Sequence, residues 1–293
     1  PQQANRPDLD SNSDSGDSNT DNLTNDATPS FTIASLDSAE DWHVVLLVNG
    51  ARTDSITNVD SGPLSENFSF NSDSTFMTDN TYNIVAYIKD VAGNLSTVSP
   101  TLTVTIDTNA PDQLSVPAMY SLDDTGWKNS DDTTSITQPR FEISGSAEGD
   151  SVFLLFNSTI VGRKLSTGGV ITIKPATEQT HGTYNIEVTA RDGAGNSSVI
   201  SSALTIRIDT QASPAPDAPD LISTYDTGES NTDNITSATI LSFTLTGLAS
   251  NDSVLLKLNS NTIGRTIATG NYLTSFPISI NPFSHQGQSN LYL

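Results

Sequence analysis

The sequence predicts an all-β chain of tandem sandwich domains. Three observations carry that expectation: apolar residues alternate with polar ones, Gly, Asn and Asp clusters punctuate the runs, and whole phrases recur about every 102 residues. Asp124 and Asp226 are 102 apart, as are Asn157 and Asn259. Asp90-Val-Ala-Gly-Asn94 returns as Asp192-Gly-Ala-Gly-Asn196, and Ile106-Asp107-Thr108 as Ile208-Asp209-Thr210, again 102 residues on. Asp14 precedes Asp124 by 110, so the first repeat carries about eight extra residues, near Asn58 to Asn71. A period near 100 exceeds a solenoid repeat and matches an array of whole domains, placed at 1–109, 110–212 and 213–293.

Within each repeat the period is two. Tyr184, Ile186, Val188 and Ala190 alternate with polar partners, which reads as a half-buried strand. Leu204, Ile206 and Ile208 form another, matched by Leu102, Val104 and Ile106. The runs Val44 to Val48, Val152 to Phe156 and Val254 to Leu258 read as more deeply buried strands. No helical stretch of useful length appears. About seven short strands in about 100 residues is the pattern of an immunoglobulin-like sandwich. His181-Gly182-Thr183-Tyr184-Asn185-Ile186 resembles the tyrosine corner of that fold, with Ile186 where an antibody domain has its second cysteine. Tyr82-Asn83-Ile84 repeats it, while the third repeat has Ser289 at the Tyr position if Gly287 aligns with Gly182. On that alignment Leu293 matches Val188, so a longer natural chain is expected to supply the rest of the third sandwich.

Charge is lopsided, with 34 Asp and Glu against 12 Lys and Arg and a net of −22. Such a surface repels nucleic acid and anionic lipid, so neither is an expected partner. There is no cysteine, and metal binding by acidic loops offers a stabiliser in place of disulfides. No segment approaches a membrane span, and the N-terminus lacks a signal-peptide pattern. The expectation is a cytosolic protein or a piece of something longer.

The acids concentrate in one phrase, Asp-[Ser/Thr]-Gly-x-x-Asn-[Ser/Thr]-Asp. It occurs at Asp14 to Asp21, Asp124 to Asp131 and Asp226 to Asp233. Fixed carboxylates among varying neighbours look like a ligand set, and a Gly-permitted turn of carboxylate, amide and carbonyl oxygens suits Ca2+. An ordinary Asx turn capping the strand before it is the plainer alternative. The phrase lies between strands A (around Leu9, Met119 and Leu221) and B (around Phe31, Phe141 and Phe243), at the end where strand G finishes in Asp107 or Asp209. Three aspartates per domain are therefore expected at each hand-over: Asp14, Asp21 and Asp107, then Asp124, Asp131 and Asp209. The third domain offers Asp226 and Asp233. The turns Glu148-Gly149-Asp150 and Asp192 to Asn196 are expected to face them from the next domain, across short Pro-containing linkers. For Asp-x-Ala-Gly-Asn itself, a hairpin turn with Gly at positive φ is the better reading than a metal site.

These co-ordered phrases, without cysteine, resemble the bacterial Ig-like repeats of giant type I-secreted adhesins of the non-fimbrial, SiiE type. The resemblance covers essentially the whole chain. It implies an elongated rod on the bacterial surface, calcium at the domain junctions, a monomeric stalk, and export by a C-terminal signal outside this chain. Its partners would be a host-cell receptor or glycan and the neighbouring domains. The second phrase, with Trp127 and Lys128, departs most from the acidic form.

Other chemistries find little support. Asp10-Ser-Asn12-Ser-Asp14 mimics an EF-hand start but lacks the Gly, Glu and helices that loop needs, and the Gly-Gly-x-Gly-x-Asp β-roll repeat is absent. His43, His181 and His285 fall in different domains, near no nucleophile motif, so an enzyme is not expected. Trp42 and Trp127 could stack on a sugar, though one aromatic per domain more often packs. The Asn-x-Ser/Thr triplets at Asn67, Asn94, Asn157 and Asn196 mean little in so Ser/Thr-rich a chain. The alternatives to a stalk are a glycan- or receptor-binding tip, using Trp127 or the first-domain insertion, and an accessory array of a secreted hydrolase.

Overall fold

The computed structural model describes residues 1–34, 42–58, 65–69, 78–126, 128–258, 260–270, 272–273, 278–279 and 291–292. Trp127, Asn259, His285, Gly287, Ser289 and much of the 58–71 insertion lie outside the described residues. Every regular element described is a β-strand, and among the described residues no helix is long and apolar enough to cross a membrane.

The chain divides into two compact units, Pro1–Asp209 and Thr210–Leu293. The first unit holds two sandwiches. One comprises β1 (Asp8–Leu9), β2 (Leu23–Thr24), β3 (Ser30–Ala34), β4 (Trp42–Val48), β5 (Ala51–Asn58), β6 (Ser65–Ser69), β7 (Asn80–Asp90) and β8 (Leu102–Ile106). The other comprises β9 (Ala118–Met119), β10 (Thr133–Thr134), β11 (Phe141–Ile143), β12 (Ser151–Phe156), β13 (Thr159–Leu165), β14 (Ile171–Ile173), β15 (Gly182–Arg191) and β16 (Leu204–Ile208). In both, a three-stranded sheet (β1-β3-β6 or β9-β11-β14) faces a five-stranded one (β2-β8-β7-β4-β5 or β10-β16-β15-β12-β13).

The period-two pattern places the core. Along β15 the inward residues Ile186, Val188 and Ala190 are fully buried, and Leu102, Val104 and Ile106 repeat this in β8. They meet Phe31 and Ile33, or Phe141 and Ile143, from the opposite sheet. Phe141 packs edge-on to Phe156, with ring centroids 5.8 Å apart, and burying one such ring stabilises the fold by about 1.5–3 kcal/mol. This apolar packing occupies the place of a disulfide. The tyrosine corner forms in both sandwiches: Tyr82 donates its hydroxyl to the Thr78 carbonyl at 3.0 Å and Tyr184 to that of Thr180 at 2.9 Å.

The second unit contains β17 (Asp220–Leu221), β18 (Ile240–Leu241), β19 (Phe243–Thr246), β20 (Ser253–Leu258), β21 (Asn261–Ile267), β22 (Tyr272–Leu273), β23 (Ile278–Ser279) and β24 (Leu291–Tyr292). Leu221, Phe243, Leu245, Val254 and Leu256 form its core. Lys257 pairs with Tyr292, as Leu155 pairs with Glu187 in the second sandwich. The structural offset there is 105 rather than 102, which agrees with aligning Leu293 to Val188.

One element was not legible in the strand count. After each of the first two acidic phrases, a two-residue strand leaves the first sheet and pairs parallel with the end of the last strand. Leu23 and Thr24 lie beside Thr105 and Ile106, and Thr133 and Thr134 beside Arg207 and Ile208. The phrase is therefore a crossing between sheets, not a simple A–B turn.

Candidate metal-binding loops and their junction

Each acidic phrase starts from a tight turn that ends its first strand. The Asp14 amide donates to the Asp10 carbonyl at 2.9 Å, and the Asp226 amide to that of Ile222 at 3.3 Å. In the second copy the Asp123 amide donates to Tyr120 O at 2.7 Å. The turn swings the first aspartate of the phrase inward, leaving Asp14, Asp124 and Asp226 only 4%, 7% and 5% exposed.

The loop then closes on these carboxylates in the same way three times. One oxygen, Oδ2, accepts a backbone amide eight residues on: Asn22 to Asp14 at 3.2 Å, Asp132 to Asp124 at 3.2 Å, Asn234 to Asp226 at 3.0 Å. Those donors have φ of 61°, 56° and 59°, a conformation that Asn and Asp tolerate better than other side-chain-bearing residues. The closing aspartate braces the exit, with Asp21, Asp131 and Asp233 accepting the amides of Leu23, Thr133 and Ile235 at 3.0–3.2 Å. The hydroxyls of Ser15, Thr125 and Thr227 accept the amides of Asn25, Ser135 and Ser237, which fixes the Ser/Thr position of the phrase.

What is left over is the same in every copy. The second oxygen, Oδ1, of Asp14, Asp124 and Asp226 is buried and has no hydrogen-bond partner. Burial, with the neighbouring Asp21 adding repulsion, raises the Asp14 pKa above the ordinary carboxylate value against the lowering effect of the Asn22 amide. Burial also raises Asp132, with Asp124 and Asp131 adding to the effect. A buried, unpaired carboxylate oxygen is costly, and it is rare enough to require a cause. The residues fit a hard cation: oxygen donors only, two carboxylates per loop, and one inward oxygen unclaimed. Among the described residues no group of three or more His, Cys, Asp or Glu side chains is placed to hold a metal ion, so backbone or amide oxygens would have to contribute.

The strand-G aspartates reach the same end by another route. The Asp107 amide donates to Thr24 O at 2.9 Å and the Asp209 amide to Thr134 O at 2.7 Å, tying each to the exit of its phrase. Their carboxylates have other contacts. Asp107 accepts the Asn109 amide at 3.1 Å, while Asp209 meets Arg207 at 2.9 Å and His181 Nδ1 at 3.2 Å. The structure thus brings the phrase pair Asp14 and Asp21 together, and joins Asp107 and Asp209 to it through the backbone. Sequence reasoning missed Asp79, whose carboxylate accepts the Thr108 amide and hydroxyl, both at 2.7 Å. Its signal was positional: it lies 102 residues before His181.

Within the first unit the second sandwich does point the Asp192–Asn196 turn, which follows β15, toward the first phrase. Asn196 donates from Nδ2 to Asp107 O at 2.8 Å, and Ser15 donates its hydroxyl to Ala194 O at 2.6 Å. The turn holds itself, because Asp192 Oδ1 accepts the Gly195 and Asn196 amides at 2.8 and 2.9 Å. Asp150, in the turn between β11 and β12, is buried and accepts the Ala147 amide at 3.1 Å; burial raises its pKa against that hydrogen bond, and Asp192 adds repulsion. The phrase glycine is less uniform than its repetition suggests. Gly16 has φ 96°, but Gly126 and Gly228 do not adopt positive φ, so a left-handed turn is not what all three copies share.

A family model described as bacterial Ig-like domain matches residues 2–108 and again 112–210. No curated protein matches the chain. Among solved structures, the human OSCAR ligand-binding domain is similar at 13% identity and TM-score 0.31, covering 70% of this chain and all of that one. SGBP-B of the Bacteroides ovatus mixed-linkage glucan utilization locus, solved with a mixed-linkage heptasaccharide, is 14% identical over 88% of this chain and 56% of its own, at TM-score 0.22. A biofilm associated protein BSP domain is 14% identical over 87% and 58%, at TM-score 0.19. At these scores the superpositions carry no functional information.

Proposed function

Because the chain belongs to the bacterial Ig-like domain family, we propose that it is a calcium-stiffened stalk segment of a bacterial surface adhesin. Tandem domains of this family suit an extracellular or surface protein. The observation that carries the calcium reading is the recurrence of one orphaned oxygen, Oδ1 of Asp14, Asp124 and Asp226, in three loops of the same design. A turn that merely capped a strand would have no reason to bury that oxygen three times.

The assigned roles follow from the loop. Asp14, Asp124 and Asp226 supply the inward carboxylate oxygen, and Asp21, Asp131 and Asp233 the second carboxylate at each loop exit. Asp107 and Asp209 are outer contributors, close by backbone, and would add an oxygen only in exchange for their present contacts, Asn109 for the first and Arg207 and His181 for the second. Bound Ca2+ would supply the positive charge that these paired carboxylates lack. The loop residues do the rest: they hold the crossing strand against the last strand and present a fixed end to the next domain. The same reading gives the chain no catalytic role and makes its partner a host-cell receptor or glycan, with contact through a surface monomer exported by type I secretion.

The test is a calcium count on the full chain by elemental analysis after dialysis, with thermal melts in calcium and in chelator. Retained calcium and a lower melting temperature in chelator are expected. A metal-free chain with identical melts in both conditions would remove the proposal.

A further inference from the structure

The phrase position that varies most, third after the opening aspartate, has its own contact in the first unit. Asp17 reaches across to the five-stranded sheet of the second sandwich. Its Oδ2 accepts the Ser151 hydroxyl at 2.6 Å and Arg163 Nη2 at 2.5 Å, and its Oδ1 accepts Arg191 Nη2. The three donors come from β12, β13 and β15. Register brings them together, since Ser151 lies opposite Arg191, and Phe153, two residues along, lies opposite Arg163. Both guanidinium groups also flank the Phe153 ring, at 5.6 and 5.7 Å from its centroid. Ser151 is wholly buried beneath this contact.

We propose that Asp17 is a positioning residue that locks the first domain to the second without a metal ion, and that the lock selects a following domain bearing an arginine pair. The selectivity lies in the donor face of the second sandwich. By strand register the first sandwich has His43, Val45, Ser55 and Lys89 where the second has Ser151, Phe153, Arg163 and Arg191. The second unit has Ser253, Leu255 and Arg265 at the first three of these places. The phrase position varies in parallel: Asp17 is replaced by Trp127 in the second phrase and Glu229 in the third. One carboxylate facing two arginines is complementary in sign, with Oδ2 taking Arg163 and Oδ1 taking Arg191 in charge-assisted hydrogen bonds. Gly195 completes the fit by keeping a side chain off the Gly16 backbone, and Gly16 leaves room for the Gly193 carbonyl.

At this junction the lock holds the geometry without calcium, whose proposed stiffening then acts within the acidic loops themselves, so the two readings can fail separately. The chain has no cysteine, so labels at Thr101→Cys and Ala203→Cys, both exposed, report the distance across this junction alone in the full chain. By pulsed electron resonance in chelator, the parent chain is expected to keep a narrow distance peak. Asp17→Asn, and separately Arg163→Gln, should lose that peak while the melting temperature and the calcium count stay at parent values. Raising salt to about 1 M, where screening acts within about 3 Å, should also broaden the parent in chelator. A parent peak already lost in chelator at low salt, or a narrow peak retained by both variants, would overturn the lock. A zero calcium count would sink the calcium proposal and leave this one standing.

Discussion

Gly195 sits against Gly16 with no room for a side chain on either: a Cβ on Gly195 would stand 2.9 Å from the Gly16 amide nitrogen, and Gly16 is itself at φ 96°. The junction between the first two domains is therefore a backbone-to-backbone contact, flanked by the Ser15–Ala194 and Asn196–Asp107 hydrogen bonds.

Gly16→Ala should disturb that junction, because positive φ costs a side-chain-bearing residue about 1–2 kcal/mol before any clash with Gly193. Gly126→Ala should be tolerated, since its Cβ would meet nothing closer than 3.8 Å and its φ is not positive. The readout is the Thr101–Ala203 label distance for the first and the melting temperature for both. Equal effects of the two substitutions would contradict this account.

Asp14→Asn should act in opposite directions with and without calcium. In chelator it removes a buried, unpaired charge and is expected to raise the melting temperature. In calcium it removes the inward oxyanion and should lower the count by about one ion per chain, as should Asp124→Asn and Asp226→Asn in turn. A substitution that lowered stability equally in both conditions would point to a purely structural role.

The Asp17 lock should weaken in acid. The Ser151 hydroxyl bond, against burial, and then Arg191 and Arg163 hold the Asp17 carboxyl below its ordinary value of 3.8. A depressed pKa contributes stability that is present above the unfolded value and lost as pH falls through the folded one. The junction peak in chelator should therefore persist down to about pH 4 and broaden below it. Broadening already complete near pH 6 would assign the contact to another group.

Tyr184→Phe should cost about 0.5–1.5 kcal/mol, the worth of one hydrogen bond, by releasing the Thr180 carbonyl. Tyr82→Phe should behave alike through Thr78. Calorimetry of the full chain reads both, and no change in either would deny the corner a stabilising role.

Much of the fold was legible because its signals are local or periodic. Alternation in 184–190 and 102–106 gives strands whose inward residues are buried, and the 102-residue offset gives the copies. The acidic loops were legible as composition: spacing marked Asp14 with Asp21, and their repeats. The short parallel strands Leu23–Thr24 and Thr133–Thr134 were not, because two residues carry no period. Nor was Asp17, which in one sequence is just another variable acid.

By itself, then, the sequence determined the β-sandwich class, the repeat, and which carboxylates recur, since hydrophobic periodicity and identical spacing are written along the chain. Tertiary structure decided which oxygen of Asp14, Asp124 and Asp226 is left unpartnered, that Asp209 is drawn to Arg207 and His181, and that Asp17 meets Arg163 and Arg191. Those outcomes depend on strand register and on residues up to 174 positions apart, and only packing brings such groups within reach of one another.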